Sequence, residues 1–522
     1  MKTSTNTSSI VIPNTSLFFS LFCIMFFVTF SYTLTLIASP YIAGDLGASN
    51  DIASYSLTFY GLGNALGIPL GKILLGHFRK VHILVSCLLL IAFFSWTAAI
   101  APNYPLFIIN RILQGFVMGP FFPVIFTLFS ILAPREKKDA FISVFLTIFT
   151  VVPVVGACWG GWIAYDFNWR WMFYFNIPFF LVLAWYVWIR LKDYESKINK
   201  TPIDGIGYLF YLIGISSIVT LVITGQQLDW FRSPLLIGLF VSGIVSGIFF
   251  ILWELHHENP LIDFRLLKNF VFSFALFNLG ILFSAYFGMV MLLALWLTLT
   301  VNYTPEWIGL LIGTMALAGL LPKYLILKGF HRIDCRIPLT IAIIFFAVSS
   351  FHTMYFNEEI NFGRIAFSRT IAGFGLAFFL PPLFRLCFRT FPEKNALDIV
   401  GLFQVGRLLS TSLGAAIYTT IWQRRQAFYH ERLGSKLTAF SMQTRDFFSQ
   451  AKEFHLRGNP AHAELNELLD RQAIALALDD CFYLMGWVMV GLLILILLTY
   501  LFRRQGFIPE TNRDALENDQ GQ

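Results

Sequence analysis

Long stretches without a charged side chain recur along this 522-residue chain, and they constrain its fold more than any other feature. A helix needs about 20 consecutive, mainly apolar residues to cross a bilayer. Stretches free of Asp, Glu, Lys and Arg cover residues 3–44, 52–71, 81–110, 112–134, 140–165, 171–189, 205–228, 233–253, 269–305 and 337–357. Further apolar segments cover residues 307–322, 370–384, 399–423 and 481–502. The sequence therefore predicts an all-α polytopic membrane protein with fourteen transmembrane helices.

The low charge content excludes a large soluble core. Charged residues make up 13% of the chain, against about 25% in soluble globular proteins. Residues 1–15 are rich in Ser and Thr, and the apolar run that follows them is too long for a signal-peptide core and lacks a small-x-small cleavage site. We therefore expect this run to be retained as the first span.

The positive charges are distributed unevenly between the loops. The net charge is +7, and the short loops on one side contain only Arg170, Arg232 and Arg364. Most of the other Lys and Arg residues lie in the loops on the opposite side and in the tails. Because cytoplasmic loops are enriched in Lys and Arg, we expect both termini to be cytoplasmic. This pattern gives no indication of a nucleic-acid partner.

The charged loops divide the predicted spans into groups of six, two and six. We expect an N-terminal six-helix bundle at 1–191, two linker helices with cytoplasmic connectors at 192–268, a C-terminal six-helix bundle at 269–502 and a cytoplasmic tail at 503–522. The second bundle includes a charged extracytoplasmic segment, 424–479. Its helical spacing of apolar residues fits a helical cap over the bundle, and a docking loop for a partner is the alternative.

A short internal similarity indicates that the two bundles are repeats. Residues Arg111 to Pro123 align without gaps with Arg369 to Pro381, and five of the thirteen positions are identical. The two segments fall in the fourth span of each group of six, where parallel repeats would place them. Chance similarity between two Phe-rich helices is the alternative explanation.

Ionisable residues inside the spans are candidates for function, because a charge in the bilayer is costly. Four basic residues qualify: Arg111, Lys323, Arg369 and Arg407. Lys323 and Arg369 lie nearer to span ends, where snorkelling to the interface is a competing explanation. Asp398, at the inner end of span thirteen, is the only plausible acid within a span. It precedes Arg407 by nine residues, which places the two on opposite helix faces, so we do not expect them to pair.

Span five contains a proline and a cluster of small residues, namely Pro153, Gly156, Gly160 and Gly161. Small residues let another helix backbone approach closely, and proline removes a backbone donor and favours a bend. The sequence leaves open whether this segment packs closely or bends.

No pattern in the sequence indicates an enzyme, a metal site or a cofactor site. The six cysteines show no CxxC spacing, the histidines show no zinc-ligand spacing, and no nucleophile elbow or phosphate-binding loop is present. No acid–base pair is apparent either, which disfavours a membrane enzyme or a non-transporting receptor.

Several segments together resemble the major facilitator superfamily, and within it the fourteen-helix drug:proton antiporters of the EmrB/QacA type. These segments are residues 38–47, 64–70, 111–115, 156–161, 169–178, 228–231, 253–255, 259–263 and 407–414. The resemblance implies an inner-membrane secondary transporter that exports drugs or other amphiphiles by alternating access and uses the proton gradient. If the source is Gram-negative, it also implies a periplasmic adaptor of the EmrA type and an outer-membrane channel. Export of an endogenous metabolite, lipid or siderophore is the alternative.

The chain departs from this family in span one, in the loop after span two and in span five, where Ala157 occupies the proline position of the family's motif. The family usually has an Asp in span one, nine residues before the proline that corresponds to Pro40, and Ser31 occupies that position here. In the loop after span two, Gly71, Arg79 and Lys80 match the family, whereas its usual Asp, Arg and second Gly are replaced. The proton-coupling acid and the conformational latch are therefore both altered.

From these observations we predict two sets of site residues. The substrate and proton pathway comprises Arg111, Gln114, Ser31, Arg407, Asp398 and Arg369. The conformational motifs comprise Gly71, Arg79, Lys80, Gly115, Gly156, Gly160, Gly161 and Pro153. Because the arginines have no carboxylate close in sequence, we expect either an anionic or zwitterionic substrate, or arginines satisfied by water and backbone carbonyls and an ordinary substrate range.

Overall fold

The computed structural model describes residues 15–49, 52–132, 138–192, 202–321, 334–357, 359–389, 391, 395–438, 440–453 and 458–504. Within these residues the chain forms sixteen α-helices and a few 3-10 turns, and no β-strand. Lys323 and most of the predicted tail 503–522 lie outside the described residues.

The helices follow the apolar stretches of the sequence. The first seven are α1 (Thr15–Thr33), α2 (Thr35–Asp45), α3 (Tyr55–His77), α4 (Lys80–Ala99), α5 (Tyr104–Leu132), α6 (Lys138–Asp166) and α7 (Trp171–Leu191). Two linker helices follow, α8 (Gly205–Thr224) and α9 (Pro234–His256). The remainder are α10 (Phe270–Leu299), α11 (Pro305–Leu320), α12 (Arg336–Thr353), α13 (Phe362–Arg389), α14 (Ala396–Gly434), α15 (Met442–Glu453) and α16 (Asn459–Arg504).

Eleven of the described helices are long and apolar enough to cross a membrane, and there are up to twelve if the bent pair α1 and α2 counts as one span. The helix α11 is apolar but shorter, and α3 contains several glycines and polar residues that lower its mean hydropathy. The all-α membrane architecture is confirmed. The exact number of fourteen spans, the domain boundaries and the orientation of the termini stay predictions.

The two six-helix groups pack with corresponding pairings. The second and fourth spans pair in each group, α3 with α5 and α11 with α13. Between the groups, α6 contacts α11 and α3 contacts α14. Following the predicted orientation, we call the end of the molecule that holds Lys72 the inner end and the end that holds Gly161 the outer end.

The segment 424–479 consists largely of extensions of two spans. The helix α14 continues to Gly434, and α16 begins at Asn459, with α15 between them. Arg425 and Tyr429 on α14 bond to Asp480 on α16, at 2.6 Å from Nε and 2.8 Å from the hydroxyl. The described part of this segment is thus largely helical, and much of it continues α14 and α16.

Candidate functional site

Arg111 on α5 is completely buried inside the N-terminal bundle. Its Nε donates to the carbonyl oxygen of Ser56 at 3.2 Å, and its Nη2 donates to the carbonyl oxygen of Tyr32 and to Oγ1 of Thr35, both at 3.2 Å. Its Nη1 donates to Oε1 of Gln114 at 2.6 Å. Each guanidinium nitrogen therefore has an acceptor, and none of these acceptors carries a formal charge.

The span-one residues that bond to Arg111 are Tyr32 and Thr35, not the predicted Ser31. Ser31 is buried on α1, but no hydrogen bond among the described residues joins it to Arg111. Instead, Arg111 lies 4.3 Å from the ring centroid of Tyr60, which packs on Tyr32 at 5.0 Å between centroids. The hydroxyl of Tyr32 is buried, has no hydrogen-bond partner in the described part of the chain and lies within electrostatic range of both Arg111 and Arg407. The sequence analysis missed both tyrosines, although Tyr32 directly follows the substituted acid position.

Arg407 on α14 lies at the boundary between the two bundles and is 4% exposed. Its Nε donates to Oε1 of Gln404 at 2.9 Å. Its guanidinium group lies 4.2 Å from the ring centroid of Phe149 on α6 and 5.4 Å from that of Phe283 on α10. Such cation–π contacts partly compensate a desolvated cation.

Five side chains thus form one group, which we call the arginine–aromatic site: Tyr32, Tyr60, Arg111, Phe149 and Arg407. It combines two buried cations, an unpartnered hydroxyl and aromatic rings. None of the ion pairs among the described residues includes either arginine. The site is therefore positively charged and lined by aromatic rings.

Asp398 pairs with Lys72 at the inner end of the molecule. The Nζ of Lys72 lies 2.5 Å from Oδ1 of Asp398 and donates to the carbonyl oxygen of Pro260 at 2.7 Å. This ion pair joins the end of α3 to the start of α14, beside a small cavity of about 20 Å³. No ion pair joins Asp398 to Arg407 in the described structure, as their helical spacing led us to expect.

Two further carboxylates are buried in the linker region, and the sequence analysis missed both. Asp204 accepts from the indole Nε1 of Trp253 at 3.0 Å, and Oε2 of Glu254 accepts from the backbone N–H of Ile262 at 3.2 Å. Glu254 lies near the end of the apolar helix α9, so it is a second candidate, beside Asp398, for an acid within a span. Among the described residues, no group of three or more His, Cys, Asp or Glu side chains is placed to hold a metal ion.

Arg369 on α13 is also completely buried, so snorkelling does not explain it. Its Nη2 donates to Oγ of Ser349 at 3.3 Å, to Oγ of Ser368 at 3.1 Å and to Oγ1 of Thr353. Among the residues that the structure describes, neither its Nε nor its Nη1 has a hydrogen-bond partner. The group faces α12 and an aromatic ring of α16, so its contacts lie inside the C-terminal bundle.

The small residues of α6 lie where other helices approach closely. A Cβ on Gly160 would overlap the carbonyl oxygen of Leu34, which lies at the break between α1 and α2. These two helices meet at 45°, and Oγ1 of Thr33 donates to the carbonyl oxygen of Pro153 at 2.6 Å. Since α6 is continuous from Lys138 to Asp166, span one carries the break and α6 supplies the surface against which it packs.

The other predicted motif residues line helix contacts or loop ends. A Cβ on Gly156 would meet the backbone of α1, and one on Gly161 would overlap the carbonyl oxygen of Pro305 on α11, across the bundle boundary. Gly71 and Gly115 lie between α3 and α5. Arg79 and Lys80 lie at the start of α4.

Comparison with known proteins identifies transporters as relatives. The chain is 30% identical to the multidrug export protein EmrB of Haemophilus influenzae, over 89% of this chain and 91% of that one. It is 28% identical to the fatty acid resistance protein FarB of Neisseria gonorrhoeae, over 86% and 89%. It is 27% identical to EmrB of Escherichia coli, over 89% and 90%.

Solved structures show the same fold at low sequence identity. A POT family transporter in complex with 5-aminolevulinic acid superposes with a TM-score of 0.61 at 15% identity, covering 92% of this chain and 96% of that one. A bacterial homologue of the human lysosomal transporter Spinster gives 0.56 at 12% identity, covering 93% and 97%. The Major Facilitator Superfamily model matches residues 21–415. The chain is therefore a multi-pass inner-membrane transporter that belongs to the Major Facilitator Superfamily.

Proposed function

We propose that this transporter exports amphiphilic molecules with an anionic headgroup. The observation that carries the proposal is the charge of the arginine–aromatic site, where Arg111 and Arg407 are buried and no carboxylate of the described residues pairs with either. A desolvated charge without a counter-charge costs several kcal/mol, and an anionic substrate would supply that counter-charge. The unpartnered hydroxyl of Tyr32 would donate to the same headgroup.

The named relatives support an amphiphilic substrate. EmrB is named as a multidrug export protein, and FarB is named for resistance to fatty acids, which are anionic amphiphiles. Export of an endogenous metabolite, lipid or siderophore is the alternative that the sequence left open. Among these classes, the aromatic rings beside two cations favour a carboxylated lipid-like molecule.

The transport cycle we propose is alternating access by the two bundles about the arginine–aromatic site. The bundles contact each other at both ends, through Gly161 and Pro305 at the outer end and through Lys72 and Asp398 at the inner end. Export requires the inner contact to open for loading and the outer contact to open for release.

Proton coupling in this proposal uses Asp398 rather than span one. A serine hydroxyl at position 31 cannot exchange a proton as the usual acid does, and Arg111 is already held by neutral acceptors. A proton on Asp398 would remove the negative charge that holds Lys72. Protonation would therefore weaken the inner contact and favour the inward-open state.

We also propose that a periplasmic adaptor of the EmrA type and an outer-membrane channel continue the export path in a Gram-negative cell. The segment 424–479 carries the exposed apolar side chains Phe428, Phe440 and Met442, which would contact the adaptor. Replacing Phe440 and Met442 by Ser should reduce co-purification of the adaptor. Transport in proteoliposomes, which lack the adaptor, should not change.

The substrate proposal is tested by binding to the purified full chain. Laurate should bind more tightly than tetraphenylphosphonium, a lipophilic cation, and Arg111→Gln and Arg407→Gln should each weaken laurate binding at least about tenfold, which corresponds to one lost charge-assisted contact. Arg364→Gln, at an exposed position on α13, is the matched control. Tighter binding of the cation would overturn the proposal.

The coupling proposal is tested in proteoliposomes with and without a pH gradient. The gradient should stimulate laurate transport by the wild-type protein and should lose most of that effect in Asp398→Asn. Strong gradient dependence in Asp398→Asn would exclude Asp398 as the coupling group and leave the substrate proposal standing.

A further inference from the structure

The two buried arginines of the internal similarity have unequal sets of acceptors. Arg111 and Arg369 align, and so do Gln114 and Ala372, each three residues further along its helix. In the N-terminal bundle, Oε1 of Gln114 accepts from Nη1 of Arg111. Ala372 has no side-chain acceptor, and Nη1 of Arg369 is unpartnered. The missing acceptor therefore has a specific cause in the sequence.

The three hydroxyls around Arg369 do not balance its charge. Oγ of Ser349 donates to the carbonyl oxygen of Ser368 at 2.9 Å. In turn, Oγ of Ser368 donates to the carbonyl oxygen of Ser349 at 3.2 Å. Oγ1 of Thr353 donates to the carbonyl oxygen of Ser349 at 2.7 Å. With their protons used in this way, all three oxygens can accept from Nη2 of Arg369. The hydrogen bonds of Nη2 are therefore satisfied by these three oxygens, none of which carries a negative charge.

The surroundings of Arg369 are closed. Ser349, Thr353, Ser368 and Arg369 are each 0% exposed, as is Phe482, whose ring centroid lies 5.7 Å from the guanidinium carbon. None of the ion pairs among the described residues includes Arg369. Buried polar groups without partners are rare in folded proteins and point to an ion or a water molecule at the site. A buried cation in a membrane bundle is costly, and a bound anion would lower that cost.

We infer that Arg369 binds a small inorganic anion, chloride in the cell, through its free Nε and Nη1 inside the C-terminal bundle. The enclosure by four other fully buried side chains favours a monatomic ion over the headgroup of an amphiphile, whose tail would need a path through the packed helices. This site is separate from the arginine–aromatic site and does not rest on the proposed substrate.

The test uses the purified full chain in lipid nanodiscs, with chloride exchanged for gluconate at constant ionic strength. Adding chloride should raise the Tm saturably, by about 2 °C or more at concentrations far above the Kd, and radiolabelled chloride should bind at one ion per chain. Laurate should not displace the radiolabel, because the site admits no apolar tail. Displacement by laurate would overturn the assignment to an inorganic anion.

Two variants separate the anion site from general stability. Arg369→Gln removes the cation, and Ala372→Gln supplies the acceptor that Arg111 has, so both should reduce chloride binding at least tenfold and remove the chloride-dependent shift in Tm. Arg364→Gln, an exposed position on the same helix, should bind chloride as the wild type does. If Arg369→Gln does not fold, the inference is tested by the chloride titration of the wild-type protein and by chloride binding to Ala372→Gln.

Equal Tm values in chloride and gluconate, with no bound radiolabel on the wild-type chain, would show that water satisfies Arg369 and would overturn the inference. Retention of chloride binding in a folded Arg369→Gln variant would do the same, since the anion would then lie elsewhere.

Discussion

Arg111 in the N-terminal bundle and Arg369 in the C-terminal bundle occupy corresponding positions on α5 and α13 and are both fully buried, but their surroundings differ. Arg111 has an acceptor for every guanidinium nitrogen, whereas the described residues supply acceptors only to Nη2 of Arg369. An arginine at the same position of the repeat therefore has a complete set of hydrogen-bond acceptors in the N-terminal bundle and an incomplete set in the C-terminal bundle.

The difference has two physical sources. One is the side chain three residues on, Gln114 in the first bundle and Ala372 in the second. The other is the break in span one: α1 ends at Thr33, and carbonyls in the last turn of a helix lack intrahelical partners. The carbonyl oxygen of Tyr32 is therefore available to accept from Arg111. The broken helix thus supplies a neutral hydrogen-bond acceptor to Arg111, although it does not neutralise the charge.

The largest expected effect comes from removing the arginine of the first bundle. Arg111→Ala should reduce transport about 100-fold or more, or about 2.7 kcal/mol in transition-state terms, with near-normal abundance in the membrane. Transport per folded molecule in proteoliposomes is the measurement. Arg369→Ala should instead act mainly by lowering the amount of folded protein, and Arg364→Ala is the exposed control.

A failure of Arg111→Ala to accumulate in the membrane would make Arg111 a structural residue. The functional contrast between the two bundles would then be wrong.

An intermediate effect is expected when the first bundle is made to resemble the second. Gln114→Ala leaves Nη1 of Arg111 without its acceptor at 2.6 Å and also frees Oγ of Ser95, which accepts from Nε2 of Gln114 at 2.8 Å. Leaving a buried donor unsatisfied costs about 1–3 kcal/mol. The Tm of the purified protein should fall accordingly.

The exposed Gln443→Ala on α15 should leave the Tm unchanged. If Gln114→Ala has the wild-type Tm, Gln114 does not account for the difference between the two arginines.

The smallest effect on stability is expected at the ion pair between Lys72 and Asp398, which joins the two bundles at the inner end. The side chains of Lys72 and Asp398 are 33% and 18% exposed, and partly exposed ion pairs contribute about 0–1 kcal/mol. Lys72→Gln should therefore change stability by less than about 1 kcal/mol while shifting the protein towards the inward-open state. Accessibility of a single cysteine near the inner cavity to a thiol reagent measures that shift, with Lys72→Arg as the conservative control.

Reduced labelling of that cysteine in Lys72→Gln would contradict the role of the pair as an inner contact. It would also show that the two bundles are held at this end by other contacts.

The sequence alone determined the membrane class, the all-α architecture and the family. A bilayer leaves few folds available to a chain whose charges are confined to loops, and long apolar runs can be counted without coordinates. It also identified Arg111, Arg369 and Arg407 as unusual, because each is a charge inside an apolar run. These inferences depend on local composition and on spacing along one helix.

Only the tertiary structure decided which groups meet. Asp398 pairs with Lys72, which lies far away in the chain, and Tyr32 rather than Ser31 contacts Arg111. Arg369 turns out to be enclosed rather than snorkelling. Such outcomes follow from helix packing and from the break between α1 and α2, which set the distance between residues that are remote in sequence. A linear pattern carries no measure of that distance.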